Sequence, residues 1–509
     1  MSLGAAVGDL HALEPLTDAI AADYLEHHGV LPVRRDGEEI IVATWLDEVE
    51  PGVLDDLAVI IGGVPRLVTL PEGEVRPAIR RVYGGEAATA EALIEGLGTE
   101  AWEQDRASHA DSALDDLVSQ ANEAPVVRLV NLLLLEALEA RASDVHLEQH
   151  ARGLDVRYRI DGVLQPAPAP PHGLAPAVIS RLKIMAELDI AERRLPQDGR
   201  IRLRLKEREV DVRVSTLPTL HGESVVLRLL DKRQGRIALD DLGMAADTLA
   251  GFQEAIARPN GIVLATGPTG SGKTTTLYAA LDRIRSGKEK ILTVEDPVEY
   301  ELPGVAQVPV NTRIGLTFAR ALRALLRQDP DALLVGEIRD PETAEIATHA
   351  SLTGHLVLST LHTNDAASAL TRLLDLGLAP YLVASTVEAV LAQRLVRTVC
   401  RACARSRPME DRERRLLSPA AGAIPLPEAV TEGQGCEDCR GTGFLGRTGV
   451  YELLRVTDAV REEVQRRAGS RGLRRLAVEA GMRTLREDGL RLVREGWTTP
   501  AEVVRVAGG

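Results

Sequence analysis

Apolar positions along this 509-residue chain change their period several times, and each change predicts a different kind of element. Between Val30 and Thr44 the segment VLPVRRDGEEIIVAT reads as two short strands folded back at Asp36-Gly37, a dipeptide suited to a tight turn. Helical patterning and short apolar runs such as VPRLVTL follow, so residues 1–95 predict a small α/β module. Glu, Asp, Ala and Ser then dominate from about Gly96 to Ser112, and 96–117 reads as a linker. An amphipathic helix near Val126 to Arg141 opens a second module, 118–236. Its strand-like segments are DVHLEQ, LDVRYRI, RIRLRL, EVDVRVST and SVVLRLL, where arginine alternates with apolar residues as on a half-buried sheet. Gln165–Pro176 (QPAPAPPHGLAP) is predicted to be a surface loop between a strand and the next helix.

From about Leu239 the strands become continuously apolar: GIVLAT, KILTVED, DALLVGEI and HLVLSTL, each separated by helical pattern. Such strands predict a parallel sheet covered on both faces, over 237–396. A cysteine-bearing region, 397–447, and Arg/Glu-rich helices, 448–509, complete the chain, and no internal repeat is visible. Aromatic residues make up only 3%, so the cores must be aliphatic. The most apolar helical run, Leu129 to Leu138, is interrupted by Asn131 and Glu136, well short of the roughly 20 residues that span a bilayer. The N-terminal MSLGAAVGDL has neither a basic region nor a continuous apolar one, so no signal peptide is predicted. The chain is therefore expected to be cytoplasmic, without direct membrane insertion, and to meet a membrane only through protein partners. A net charge of −15 argues against nucleic acid as a partner, because phosphate backbones require an excess of Lys and Arg.

GIVLAT runs into Gly267, Pro268, Thr269, Gly270, Ser271, Gly272, Lys273, Thr274 and Thr275, the start of a helical pattern. This is G-x-x-x-x-G-K-[ST] in the strand–loop–helix context that makes it a phosphate loop. The glycines let backbone N–H groups approach phosphate, and the helix N-terminus adds its dipole. Lys273 is the charge for the β- and γ-phosphates, and Thr274 offers a hydroxyl to Mg²⁺, so ATP with Mg²⁺ is the expected ligand.

DALLVGEIRD ends a buried strand, taken as the neighbour of the phosphate-loop strand, on Glu337, an acid placed to act on magnesium-bound or attacking water. ILTVEDPVEY offers Glu295, with Asp296 and Glu299 more in keeping with a solvated loop. His355 and His362 bracket the strand in TGHLVLSTLHTND and are candidates for sensing phosphate state. All four cysteines fall in Cys400-x-x-Cys403 and Cys436-x-x-Cys439, separated by 32 residues. Two thiolate pairs suit a closed, tetrahedral, structural Zn²⁺ site.

The phosphate loop, ILTVEDPVE, LRQDPDALLVGEIRD and TGHLVLSTLHTND occur in the order found in the type II secretion and type IV pilus ATPases, which this chain resembles from about Gln120 to its end. RASDVHLE, VRYRIDGVL, RRLPQDGRI and DVRVSTLPTLHGESVVLRLLD extend the likeness into the second module. LDIAERRLPQDGRI, TLPTLHGESVVLRLLDK and LTFARALRALLRQDPD are most similar to the type II secretion branch. The resemblance implies an α/β multidomain protein: an N-terminal recruitment domain, a PAS-like α+β second domain, and a RecA-like motor with a tetracysteine zinc insert and C-terminal helices. It implies a homo-hexamer that hydrolyses ATP to drive pseudopilus assembly. The implied partners are the cytoplasmic part of an inner-membrane L-type protein, met by the N-terminal domain, and an F-type platform protein. Arg213 and Arg228 match arginines that reach the nucleotide, with Arg323 and Arg327 as weaker intersubunit candidates. The tetracysteine module separates secretion and pilus-extension ATPases from retraction ATPases; CRAC replaces a common Cys-Pro without touching a ligand. A type IV pilus extension ATPase, a non-motor ATP-binding scaffold and a DNA-translocating motor are the alternative readings.

Overall fold

The computed structural model describes residues 16, 20, 22–37, 39–46, 49–82, 124–170, 172–205, 208–231, 236–417 and 425–507. The expected linker, 96–117, lies outside them. The chain divides into two compact units, one drawn from residues up to 228 and the other from 229–509 together with 159–163 and 202–212.

At the N-terminus, helix α1 (Ala22–His28) precedes β1 (Val30–Asp36) and β2 (Glu39–Thr44). These two strands pair antiparallel, with Asp36 opposite Glu39, so the predicted hairpin forms at Gly37. After α2 (Pro51–Leu57), β3 (Val64–Thr69) adds to β2 in parallel, and α3 (Glu72–Val82) follows. Leu25, Leu31, Ile40, Val42, Leu57 and Ile79 form its apolar core.

The second module begins with α4 (Ala124–Glu139) and continues through β4 (Ala142–His150), β5 (Gly153–Ile160) and β6 (Val163–Pro166). Helix α5 (Ala175–Met185), β7 (Gln197–Leu205), β8 (Arg208–Thr219) and β9 (Gly222–Asp231) complete it. The strands form one sheet in the order β6-β5-β4-β9-β8-β7. The Lys183 ammonium is 1% exposed and bonds Glu223 at 2.6 Å and the Glu192 carbonyl at 2.7 Å, pinning α5 to β9. The proline-rich loop is shorter than predicted: Gln165 and Pro166 end β6, and Ala175-Pro176 form the first turn of α5, where proline sacrifices no hydrogen bond.

The third module contains α6 (Ala246–Ile256), β10 (Gly261–Thr266), α7 (Lys273–Ile284), β11 (Ile291–Glu295), β12 (Ala306–Pro309), α8 (Phe318–Leu325) and β13 (Ala332–Val335). It continues with α9 (Pro341–Leu352), β14 (Leu356–Leu361), α10 (Ala366–Asp375), α11 (Pro380–Thr386) and β15 (Val387–Val399). The predicted parallel sheet forms, in the order β12-β11-β13-β14-β10-β15. Strands β10, β11, β13 and β14 are buried on both faces along their whole length, while the edge strand β12 is exposed or half-buried. Two apolar clusters seal the faces, one around Leu264, Val294, Leu333 and Leu370, the other around Phe252, Leu277 and Leu358.

Beyond β15 lie the ribbon β16 (Ala404–Pro408) with β17 (Ala429–Gly433), helix α12 (Asp411–Leu417) between them, and β18 (Phe444–Arg455). Helices α13 (Asp458–Gln465), α14 (Ser470–Glu479), α15 (Leu485–Arg494) and α16 (Pro500–Ala507) end the chain. β18 corrects the expected organisation. It pairs antiparallel with β15 from Ala389–Arg455 to Val399–Phe444 and forms the edge of the large sheet. Boundaries at 396/397 and 447/448 therefore cut through two paired strands, and residues 448–455 are strand rather than helix. Apolar residues on β15 and β18 bury against the same core as the parallel strands, which makes the pair part of the same module.

Candidate nucleotide site and metal centre

The register of the parallel strands brings their carboxyl ends to one edge: Thr266 faces Leu361, Val335 faces Ser359, and Val294 faces Val335. Ligands bind at this edge in such sheets. Gly267 (φ +150°) and Gly272 (φ +87°) shape the phosphate loop in backbone conformations unfavourable to other residues. Gly267 is also sterically required, because a Cβ there would run into the Gln393 backbone carbonyl, and one on Gly272 would press on the Gln393 side chain, 2.7 Å from its Nε2. Pro268, Thr269 and Gly270 are exposed at the loop tip, while Thr274 and Thr275 are half-buried in the first turn of α7. The Oγ of Ser271 is buried without a hydrogen-bond partner among the described residues, a donor suited to a bound anion. These features fit a nucleotide polyphosphate with Mg²⁺.

Lys273 Nζ donates to the carbonyls of Gly267 at 2.9 Å and Pro268 at 3.0 Å. Burial and then the neighbouring Arg394 charge draw its ammonium down to about 8, while Glu337 opposes the shift. Glu337 follows β13 and pairs with Arg339 at 2.6 Å and with His362 Nε2 at 3.4 Å. Two residues predicted separately thus meet. β13 does not neighbour the phosphate-loop strand, contrary to expectation, because β14 lies between β13 and β10. That inserted strand is what carries His362 to the site. Thr266 Oγ1 lies 2.7 Å from Thr363 Oγ1 and accepts from the Thr363 amide at 2.9 Å, tying the histidine loop to the phosphate-loop strand.

His355 is not brought to this edge. It sits before the first residue of β14, its Nδ1 2.8 Å from the Ala350 carbonyl, and six strand residues separate it from the phosphate-loop end, about 20 Å. Glu295 is 3% exposed, and its carboxylate is enclosed by donors: the Tyr278 hydroxyl, Thr293 Oγ1 at 2.6 Å and Gln307 Nε2 at 3.1 Å. Asp296 and Glu299 are exposed. Arg323 pairs with Glu342 at 2.6 Å, and Arg327 donates to the Arg323 carbonyl at 2.8 Å. In the other unit, Arg228 lies on β9 and pairs with Asp144 of β4 at 3.0 Å; Arg213 is half-buried on β8, the strand beside β9.

Several contributors escaped the sequence reading: Tyr278, Gln307, Gln393 and Arg394. The signal for the last two was a polar pair inside the otherwise apolar run AVLAQRLV. Thr276 Oγ1 donates to Gln393 Oε1 at 2.8 Å, so β15 braces the phosphate loop from behind.

At the far end of β15, the four cysteines converge with all ligand atoms within 4.8 Å of one another. Sγ–Sγ distances are 3.8 Å (Cys400–Cys436), 3.8 Å (Cys403–Cys439) and 3.7 Å (Cys436–Cys439). A tetrahedron of thiolates about 2.3 Å from one ion has edges of about 3.8 Å, so the donor set fits a single metal. The Gly435 amide donates to Cys403 Sγ and the Gly443 amide to Cys439 Sγ. Burial opposes ionisation of Cys439, but the N–H groups of Cys436 and Gly443 outweigh it and draw the thiol below its ordinary range.

A phosphate loop with a glutamate–histidine pair at the carboxyl edge of a parallel sheet defines a P-loop ATPase. The chain belongs to the type II/IV secretion system protein family, whose model matches residues 119–505. The MshEN domain matches residues 4–89. The type II secretion system ATPase E of Vibrio cholerae is 47% identical over 442 residues, 87% of each chain. The type IV pilus assembly ATPase PilB of Myxococcus xanthus is 45% identical over 492 residues, 95% of this chain and 85% of its own. Among solved structures, the Legionella pneumophila ATPase DotB matches with a TM-score of 0.54 at 21% identity, over 74% of this chain and 94% of its own, a likeness of fold. No helix among the described residues is long and apolar enough to cross a membrane.

Proposed function

We propose that this chain is the motor ATPase of a type II secretion system, hydrolysing ATP to drive pseudopilus assembly and protein export. The observation that carries the reading is the match to type II secretion ATPase E over 87% of both chains, with the phosphate loop, Glu337 and His362 gathered at one sheet edge. In this reading Lys273 and the loop amides bind the triphosphate, and Thr274 holds Mg²⁺. Glu337, oriented by His362 and Arg339, positions the attacking water, and Glu295 supports it through its fixed carboxylate. Arg213 and Arg228 act as arginine fingers, and the second histidine, His355, relays the state of the site to the opposite end of β14. The tetracysteine centre holds structural Zn²⁺.

The working form is a homo-hexamer in the cytoplasm, peripheral to the inner membrane. The N-terminal domain, residues 1–95, binds the cytoplasmic part of an L-type partner, and ring motion passes to an F-type platform protein. A second reading, a type IV pilus extension ATPase, is favoured by the 45% identity to the Myxococcus protein. Turnover of the full chain, with and without the partner's cytoplasmic part, tests the motor. Stimulation by the partner and loss in Lys273→Ala are expected; turnover at background in both wild type and Lys273→Ala refutes it. Restoration of export in a strain lacking its secretion ATPase supports the first reading, and restoration of pili alone the second.

A further inference from the structure

We propose that Arg394 is a second phosphate-binding cation of the nucleotide site, supplied by the same chain from β15. The proposal rests on the phosphate-loop reading above. β15 runs parallel to β10 with Ala392 opposite Thr266, so Gln393 and Arg394 come level with the start of the loop. Arg394 Nη1 lies 3.0 Å from the position a Cβ would take on Gly267, against the loop's first glycine. At the same position, 2.6 Å away, is the Oγ of Ser271, which is buried and has no partner among the described residues.

The partners of this guanidinium are not acids. Its Nη2 donates to the Asn364 carbonyl at 2.9 Å and to Asn364 Oδ1 at 3.3 Å, and Nη1 to the Gln393 carbonyl at 3.3 Å. Asp365 and Glu452 act on it from nearby, but both are committed to helix starts. Asp365 caps α10 through the Ser368 amide at 2.7 Å, and Glu452 takes the Ala366 amide at 2.9 Å and the Leu485 amide at 3.3 Å. Among the described residues Lys273 likewise bonds to loop carbonyls, and Arg394 is the charge that acts on it most strongly, opposed by Glu337. Two half-buried or buried cations side by side, each held by carbonyls, repel one another until an anion lies between them. A planar guanidinium suits that anion particularly well, because its fork can address two oxygens of one polyphosphate. The grip on Asn364, two residues beyond His362, would let the arriving phosphate chain tighten the histidine loop as well.

Binding of fluorescent Mg·ATP and Mg·ADP to the full chain tests this. Arg394→Gln should weaken both by about tenfold or more, the scale of one lost charge-assisted hydrogen bond. Arg394→Lys, which keeps the charge but not the fork, should recover part of that loss, and inorganic tripolyphosphate should compete less well against the Gln variant by the same factor as Mg·ATP. Unchanged affinity in Arg394→Gln alongside lost binding in Lys273→Ala overturns the proposal alone, as does equal loss in the Gln and Lys variants. Wild-type affinity in Lys273→Ala would instead overturn the phosphate-loop reading. Should Arg394→Gln fail to fold, phenylglyoxal labelling of the wild-type chain decides the matter by peptide mass spectrometry. Tripolyphosphate is expected to protect Arg394, and equal labelling with and without it refutes the assignment.

Discussion

Tyr278→Phe isolates one hydroxyl that the sequence reading passed over. Tyr278 lies on α7 five residues beyond Lys273, is 1% exposed, and packs edge-on against Tyr300 with ring centres 4.7 Å apart. Its hydroxyl donates to Glu295, whose other side-chain donors among the described residues are Thr293 and Gln307. Burial, and then the Glu295 carboxylate, push the hydroxyl well above its usual range, so it remains a donor at any working pH. Phenylalanine preserves the ring packing and removes this bond together with the two weaker ones the hydroxyl accepts, from Gln307 Nε2 at 3.3 Å and the Glu299 amide at 3.4 Å. A hydrogen bond to a charged acceptor contributes about 1.5–3 kcal/mol, and part of that loss will appear as stability. If Glu295 supports phosphoryl chemistry from a fixed position, the remainder should appear in turnover, lowering kcat about tenfold. KM for ATP should hardly move, because the hydroxyl faces Glu295 and not the phosphate loop. Steady-state ATPase kinetics with thermal unfolding on the same preparations separates the two effects. A wild-type kcat with a lowered Tm would refute a catalytic role for the Glu295 network and leave it purely structural.

The buried Glu502 carboxylate on α16 is gripped by Arg397 of β15 and by Arg505, each at 2.6 Å. Burial works against its charge, but the guanidinium groups prevail and draw it from an ordinary 4.5 to about 2, a difference of about 3 kcal/mol. Because the unfolded chain takes up the proton first, this stability is present above about pH 4.5 and lost as pH falls towards 2. Glu502→Gln should be less stable than wild type near neutrality, and the gap in urea unfolding should close through that window; a gap independent of pH would count against it. Cys403→Ser should abolish metal binding and destabilise the cysteine module, since a structural site contributes its binding energy to folding. Metal analysis of the wild type should return about one zinc per chain, and its absence would remove the assignment.

Motifs whose chemistry is local were visible before folding. The glycines and Lys273 of the phosphate loop are contiguous, and each cysteine pair sits in one short knuckle, so spacing alone pointed to phosphate and metal. The alternation of apolar strands and helices was enough for the parallel sheet. β18 was missed because its partner β15 lies across the whole cysteine module, and pairing at that separation leaves no mark in a short window.

By itself the sequence determined the class of chemistry, the covered parallel sheet and the family likeness, because these reside in contiguous residues and their period. Only the tertiary structure decided which distant groups meet. Insertion of β14 between β13 and β10 carries His362 to Glu337 and leaves His355 at the opposite end of the strand. The fold of β11 against α7 turns Glu295 inward onto Tyr278, and β15 lays Arg394 beside Gly267. Strand order and register are set by burial of the whole sheet at once, so such juxtapositions cannot be read from any one segment.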